Sequence, residues 1–193
     1  MQDKMEILLK QIKLNDSDCH YFNGAFLTRI VGNKDKDNYK FLITLDTNLP
    51  VNIYDVFNCS LIKAFPTIKT VTAIFDVKNV NTDLIKDYLH YFMQMIIKER
   101  PLIGLISDDA IVITDKQIDI LVANKAEERQ ILDIKDVLLE KFIKAGYADL
   151  NISIVIDSNL NVNINKEITE AMQPNIVLPK EPVVVPKAEE KEE

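Results

Sequence analysis

The sequence predicts an α+β fold of two small modules, each with the order helix, strand, strand, helix, strand. The main observation is an internal repeat. Residues 55–76 (DVFNCSLIKAFPTIKTVTAIFD) align without a gap with residues 136–157 (DVLLEKFIKAGYADLNISIVID) at an offset of 81. Six of the 22 positions are identical, and several others exchange one apolar residue for another. Each copy has the pattern of an amphipathic helix, a turn and a buried strand, so we assign a first module to residues 1–78 and a second to 79–158.

The first module shows a signal for each of its elements. Apolar residues recur on one face of residues 5–14, which predicts a short amphipathic helix. Strands follow at 26–31 and 39–45, and the six residues GNKDKD between them form a polar hairpin tip. The repeat adds a helix and a third strand at 71–77. We expect this third strand to be unpaired, which makes it a possible docking edge.

The second module repeats this order with a longer first helix. Apolar residues at helical spacing predict that helix from about residue 82 to 98. A short hairpin follows, with strands at 110–114 and 117–122. The helix of the repeat ends near Ala145, and Gly146 is placed where a left-handed C-terminal cap is expected.

Length and amino-acid composition limit the classes of protein to which the chain can belong. A chain of 193 residues with 47% hydrophobic content can bury one core or two modest ones. Cys19 and Cys59 lie 40 positions apart without a metal-binding or redox spacing. No stretch resembles a signal peptide or reaches the length of a membrane span. We expect a cytoplasmic protein with reduced cysteines and no membrane contact.

The net charge of −7 is unevenly distributed. Residues 1–78 hold ten Lys/Arg against nine Asp/Glu (+1), residues 79–158 nine against fourteen (−5), and residues 159–193 four against seven (−3). Neither module has the basic balance of a duplex-binding domain. A local nucleic-acid site is conceivable only on the first hairpin, where the candidates are Arg29, Lys34, Lys36 and Lys40. The alternative is that these side chains form a solvated loop of mixed charge.

Residues 159–193 have a different composition from the modules. Pro179, Pro182 and Pro186 are spaced by three or four residues and precede a charged terminus. Proline at this density opposes both helix formation and strand pairing. We therefore predict a largely disordered linker over 159–193.

The sequence holds no recognisable catalytic or metal site. Its four glycines stand alone, so neither GxGxxG nor GxxxxGK[ST] occurs. His20 and His90 are isolated, whereas a metal site needs about three ligands. Asp108 and Asp109 are adjacent at the start of a hairpin, where they are typical turn residues. We expect no catalytic residue, no metal, no cofactor and no small-molecule substrate.

The order of these pieces resembles a known family. The segment LLKQI (8–12) and the region 21–77 are similar to the extreme N-terminal region of PolC-type DNA polymerase III of Gram-positive bacteria and mollicutes. The shared features are a short helix, an aromatic-rich second strand, an "LP" entry to a helix and an "FPxIxxV" exit to a strand. The similarity continues through the second module into the linker. Family members carry Trp in the second strand, where this chain has Tyr39.

The resemblance implies that these residues have a non-catalytic function. It implies that both modules are similar to truncated K-homology folds, and that the first binds the tau subunit of the clamp loader. The role of the second module, including contact with DNA, stays open. A longer parent chain would be a DNA-directed DNA polymerase with 3′–5′ exonuclease. A complete K-homology domain grips single strands with a GxxG loop between two helices. This chain has no GxxG, so that mode of binding is not supported.

Three hypotheses follow: a replisome tether that docks tau, a module that binds single-stranded DNA, and a free-standing enzyme. The first is preferred, and the third lacks any supporting constellation. Docking predicts an exposed apolar patch on the first module. The candidates are the outer face of residues 5–14, with Leu9 named on that helix, and Tyr54, Phe57 and Leu61 on the second helix. The alternative for all four is core packing, which periodicity alone does not distinguish from an interface.

Overall fold

The computed structural model describes residues 3–35, 37–99 and 108–157, and it confirms the predicted α+β class. The linker predicted at 159–193 lies outside the described residues. In the described ranges the helices are α1 (Lys4–Ile12), α2 (Asp16–Cys19), α3 (Val51–Ala64), α4 (Ile85–Ile97) and α5 (Lys125–Lys144). The strands are β1 (Phe26–Gly32), β2 (Asn38–Thr47), β3 (Thr70–Asn79), β4 (Ile111–Thr114), β5 (Gln117–Val122) and β6 (Asn151–Ile156).

Two three-stranded sheets share one topology. In the first sheet β1 pairs antiparallel with β2, and β3 pairs parallel with β2. In the second sheet β4, β5 and β6 are arranged in the same way. Parallel neighbours need a crossover connection, which α3 and α5 supply. The expectation of an unpaired third strand is wrong, because β3 pairs with residues Asn38 to Thr47 of β2. It is nevertheless an edge strand, so its use as a docking edge stays a prediction.

The internal repeat corresponds to equivalent positions in the two modules. Strands β3 and β6 begin 81 residues apart, which is the offset of the repeat. Phe57 and its counterpart Leu138 are fully buried, and so are Leu61 and its counterpart Phe142. Each helix therefore presents the same face to the sheet of its own module, which explains why apolar residues exchange for apolar residues in the repeat.

The two modules share one continuous core. Helix α4 lies between α3 and α5, and the buried Phe92 contacts both Tyr54 of the first module and Phe142 of the second, with ring centroids 6.1 and 5.2 Å apart. Tyr88 is fully buried on the same helix and donates its hydroxyl to the Leu49 carbonyl at 2.9 Å. The sequence was compatible with one core or two, and the structure shows a single core that contains residues of both modules.

The side chain of Asn48 connects the two modules through hydrogen bonds. Among the described residues it is the buried polar side chain, with 3% of its surface exposed. Its Nδ2 donates to the Ala145 carbonyl at 3.1 Å, and its Oδ1 accepts from the backbone N–H of Asn81 at 2.7 Å. Gly146 directly follows Ala145 and has a φ of +95°, which confirms the predicted left-handed cap of α5.

Candidate protein-interaction surface

Within 3–35, 37–99 and 108–157, no group of three or more His, Cys, Asp or Glu side chains is placed to hold a metal ion. His20 is exposed, and its Nδ1 is hydrogen-bonded to the carbonyl of Ser17. Burial and the neighbouring Asp55 raise the pKa of the Cys59 thiol, which keeps it in its less nucleophilic protonated form. None of the helices in these ranges is long and apolar enough to span a membrane.

Three of the four docking candidates lie in the core. Phe57 and Leu61 are fully buried, and Tyr54 is 8% exposed. The Tyr54 ring packs against Phe75 and against aromatic rings of α4, and burial raises the pKa of its hydroxyl to about 12. These side chains stabilise the fold and do not form the exposed patch expected of them. Their burial agrees with the alternative of core packing that the sequence left open.

Leu9 is the fourth candidate and lies half-buried at a shallow cleft. This cleft separates α1 from α2, and acidic side chains such as Glu6 and Asp16 contribute to its lining. Its polar character and the partial burial of Leu9 against the core make it a poor hydrophobic docking site.

A more apolar surface lies on the opposite side of α1. We call it the α1–β1 groove, and its volume is about 450 Å³. Helix α1, strands β1 and β2 and the turn after α3 supply its lining, which comprises Lys4, Ile7, Leu8, Gln11, Leu27, Ile30, Tyr39, Phe41, Phe65 and Ile68. Ile7 is 47% exposed and Ile30 is 49% exposed. Exposed aliphatic side chains beside a groove of this size mark an interaction site more often than isolated surface residues do.

The sequence pointed to the outer face of the first helix, which carries Ile7, but it did not reveal the groove. Ile7 falls beside the face of α1 that enters the core, and the pattern around Ile30 predicts a strand but not an exposed groove. An apolar residue just outside the main stripe of an amphipathic helix was the available signal. The groove itself arises only when the turn at Phe65 and Ile68 approaches α1, which no local pattern contains.

The structure brings together two of the four basic candidates. Arg29 pairs with Leu42 and Lys40 pairs with Val31 across β1 and β2, so Arg29 and Lys40 lie on the sheet face turned away from the core. Lys34 is exposed in the hairpin turn, and Lys36 lies outside the described residues.

An exposed aromatic ring accompanies them. Phe26 is 55% exposed on the same sheet face, and the Lys78 ammonium lies 5.8 Å from its ring centroid. Acidic groups are also close, since Lys78 pairs with Asp46 at 2.8 Å. The pKa of Glu140 is lowered, chiefly by a hydrogen bond from Lys144 and to a smaller extent by Lys40. The positive potential of this face is thus partly neutralised.

Comparison with known proteins agrees with the resemblance noted in the sequence. The family model for the DNA polymerase III polC-type N-terminus I matches residues 4–75, which contain the whole α1–β1 groove. The DNA polymerase III PolC-type of Oceanobacillus iheyensis is 26% identical over 176 residues, or 89% of this chain and 12% of the relative. That of Listeria monocytogenes is 23% identical over 156 residues, or 77% of this chain and 11% of the relative.

No solved structure matches the chain. The chain spans only about an eighth of the length of the Oceanobacillus relative and a similar share of the Listeria one. The match at residues 4–75 and the extended similarity to the two polymerases agree with each other. Residues 4–75 are therefore similar to the N-terminus I domain of PolC-type DNA polymerase III, and most of the chain is similar to a small part of the PolC-type polymerases of these two bacteria.

Proposed function

We propose that this chain is a non-catalytic tethering region of a replicative DNA polymerase, and that its first module docks the tau subunit of the clamp loader. The α1–β1 groove is the observation that supports docking, because it is apolar, exposed and contained in the matched domain. The polymerase and 3′–5′ exonuclease activities would belong to the longer parent chain, which acts in the cytoplasm. Tethering would raise the local concentration of polymerase at the fork without any chemistry in these residues.

Docking through this groove has a clear physical basis. Water leaves the exposed parts of Ile7 and Ile30 when a partner covers them, and burial of apolar surface contributes roughly 25 cal/mol per Å². Such aliphatic anchors beside a cleft form the centre of many interfaces, while the polar rim adds specificity. The second module would act as a structural support, since it shares the core that positions α3 against the first sheet.

Calorimetric titration of the 193-residue chain with tau tests the proposal. Ile7→Asp places a charge in the groove, and we expect it to weaken binding at least tenfold. Leu132→Asp is the matched control, because Leu132 is an equally exposed aliphatic residue (48%) on helix α5 of the second module. Circular dichroism checks that both variants keep the wild-type helix content. Absence of saturable binding by the wild-type chain, or equal affinity of both variants, would refute docking at this groove.

Binding of single-stranded DNA is the second candidate function. The observation in its favour is that Phe26, an exposed aromatic ring, shares a sheet face with Arg29 and Lys40. Base stacking on aromatic rings and cationic contacts to phosphates are the usual means of binding single strands. Fluorescence anisotropy of labelled oligo(dT) at two salt concentrations tests it. Affinity that falls steeply with salt and is lost in Phe26→Ala would favour this function over docking.

A further inference from the structure

Strand β1 is a free sheet edge with unusually exposed apolar side chains. The sheet order places β2 on one side of β1 and no described strand on the other. Phe26, Ile30 and Val31 are all strongly exposed along its seven residues. Proteins usually protect such an edge with charged residues, proline or a bulge. In β1 the protection consists of the charged side chain of Arg29 and one shift in the pairing register with β2, between Leu27 and Arg29.

The backbone of β1 offers hydrogen bonds to an extended partner. In an antiparallel pair, half of the N–H and C=O groups of a strand face its neighbour and half face away. The inward half of β1 pairs with β2, as the register from Phe26 to Gly32 shows. None of the described segments hydrogen-bonds to the outward half through its backbone. About three N–H groups of β1 are therefore available to an added strand.

The α1–β1 groove adjoins this edge on the core side of the sheet. Leu27 and Ile30 line the groove, and they pair with the buried residues Ile43 and Phe41 across the ladder. Side chains alternate between the two faces of a strand, so every second residue of a strand beside β1 would project on the groove side. One surface thus supplies both backbone pairing and an apolar cleft.

We propose that the partner of the first module binds by adding an extended strand to the free edge of β1 and inserting alternate apolar side chains into the α1–β1 groove. This inference rests on the proposed docking function and specifies its mode. Strand addition gives affinity through main-chain hydrogen bonds and specificity through pockets for alternate residues. The recognised segment is therefore extended and apolar at every second position.

Positive charge beside the groove and on the outer face of β1 further defines the partner. Lys4 lines the groove, Lys69 follows the lining residue Ile68, and Arg29 is exposed on β1 itself. A partner segment with acidic residues beside its apolar ones would complement them. A second copy of this chain fits less well, because pairing of two β1 strands would bring two Arg29 side chains onto one ribbon, and like charges across strands are unfavourable.

Hydrogen–deuterium exchange of the 193-residue chain, with and without tau, tests the mode of binding. We expect about three additional slowly exchanging amides within residues 26–32 when tau is bound, because strand addition protects the outward N–H groups. Titration of two variants complements it. Ile30→Asp should weaken tau binding at least tenfold, whereas Val112→Asp should not, although Val112 is an equally exposed residue (45%) on β4, the corresponding edge strand of the second module.

The outcomes separate this inference from the proposed function. Tau binding with unchanged exchange in residues 26–32 would overturn strand addition and leave docking intact. Failure of tau to bind would overturn both. Protection of β1 without tau, together with a dimer in sedimentation velocity, would assign the edge to a second copy and overturn the proposal. The exchange measurement uses the wild-type chain, so it decides the question even if Ile30→Asp fails to fold.

Discussion

Replacement of Asn48 by alanine tests whether one buried side chain holds the two modules together. The substitution removes two hydrogen bonds, one donated to the Ala145 carbonyl and one accepted from the Asn81 N–H. Both backbone groups belong to the second module, and each would be left without its partner at a nearly water-free site. An unsatisfied buried group costs about 1–3 kcal/mol, so the loss of two partners should lower the free energy of unfolding by about 2–6 kcal/mol. A domain is typically stable by only about 5–15 kcal/mol, so this loss is large.

Urea denaturation followed by far-ultraviolet circular dichroism measures this loss. The matched control is Asn58→Ala, because Asn58 Nδ2 also donates to a backbone carbonyl, that of Tyr54 at 2.8 Å. That carbonyl stands four residues earlier in α3 and keeps its helical hydrogen bond after the substitution, so we expect a loss below about 1 kcal/mol. Equal losses in the two variants, or a loss below about 0.5 kcal/mol for Asn48→Ala, would refute the bridging role of Asn48.

Two further predictions concern backbone strain and pH. Gly146→Ala should destabilise the chain by about 2 kcal/mol or more in urea denaturation, because φ is +95° and the added Cβ would lie 2.3 Å from Val77 Cγ2. Gly24→Ala should cost less, since its Cβ would meet only the movable Asp46 carboxylate, and equal costs would contradict this reasoning. The folded-state pKa of Tyr54 is raised to about 12 from an ordinary value of 10. The contribution of Tyr54 to stability should therefore be fully present below pH 10 and be lost as the pH rises from 10 to 12, because the unfolded chain releases the proton first; a flat urea midpoint between pH 10 and 12 would disprove it.

The sequence was sufficient for elements whose signals are local. Helix and strand order followed from apolar periodicity, because each element records in its own residues which face is buried. The equivalence of Phe57 and Leu138 could be predicted from the sequence for the same reason. Both occupy the same position on a helix that covers a strand of its own module. Gly146 was predicted as a cap because left-handed backbone selects glycine.

Tertiary structure alone decided which elements share a core and which surfaces stay open. Periodicity marks Tyr54 as apolar-facing but does not tell whether a helix such as α4 or a partner protein covers it. The bridging role of Asn48 depends on residues 33 and 97 positions away, and a single polar residue carries no signal at that distance. The α1–β1 groove likewise combines four separate segments. The local pattern of an element shows which of its faces must be buried. Only the folded chain determines which other element or partner covers that face.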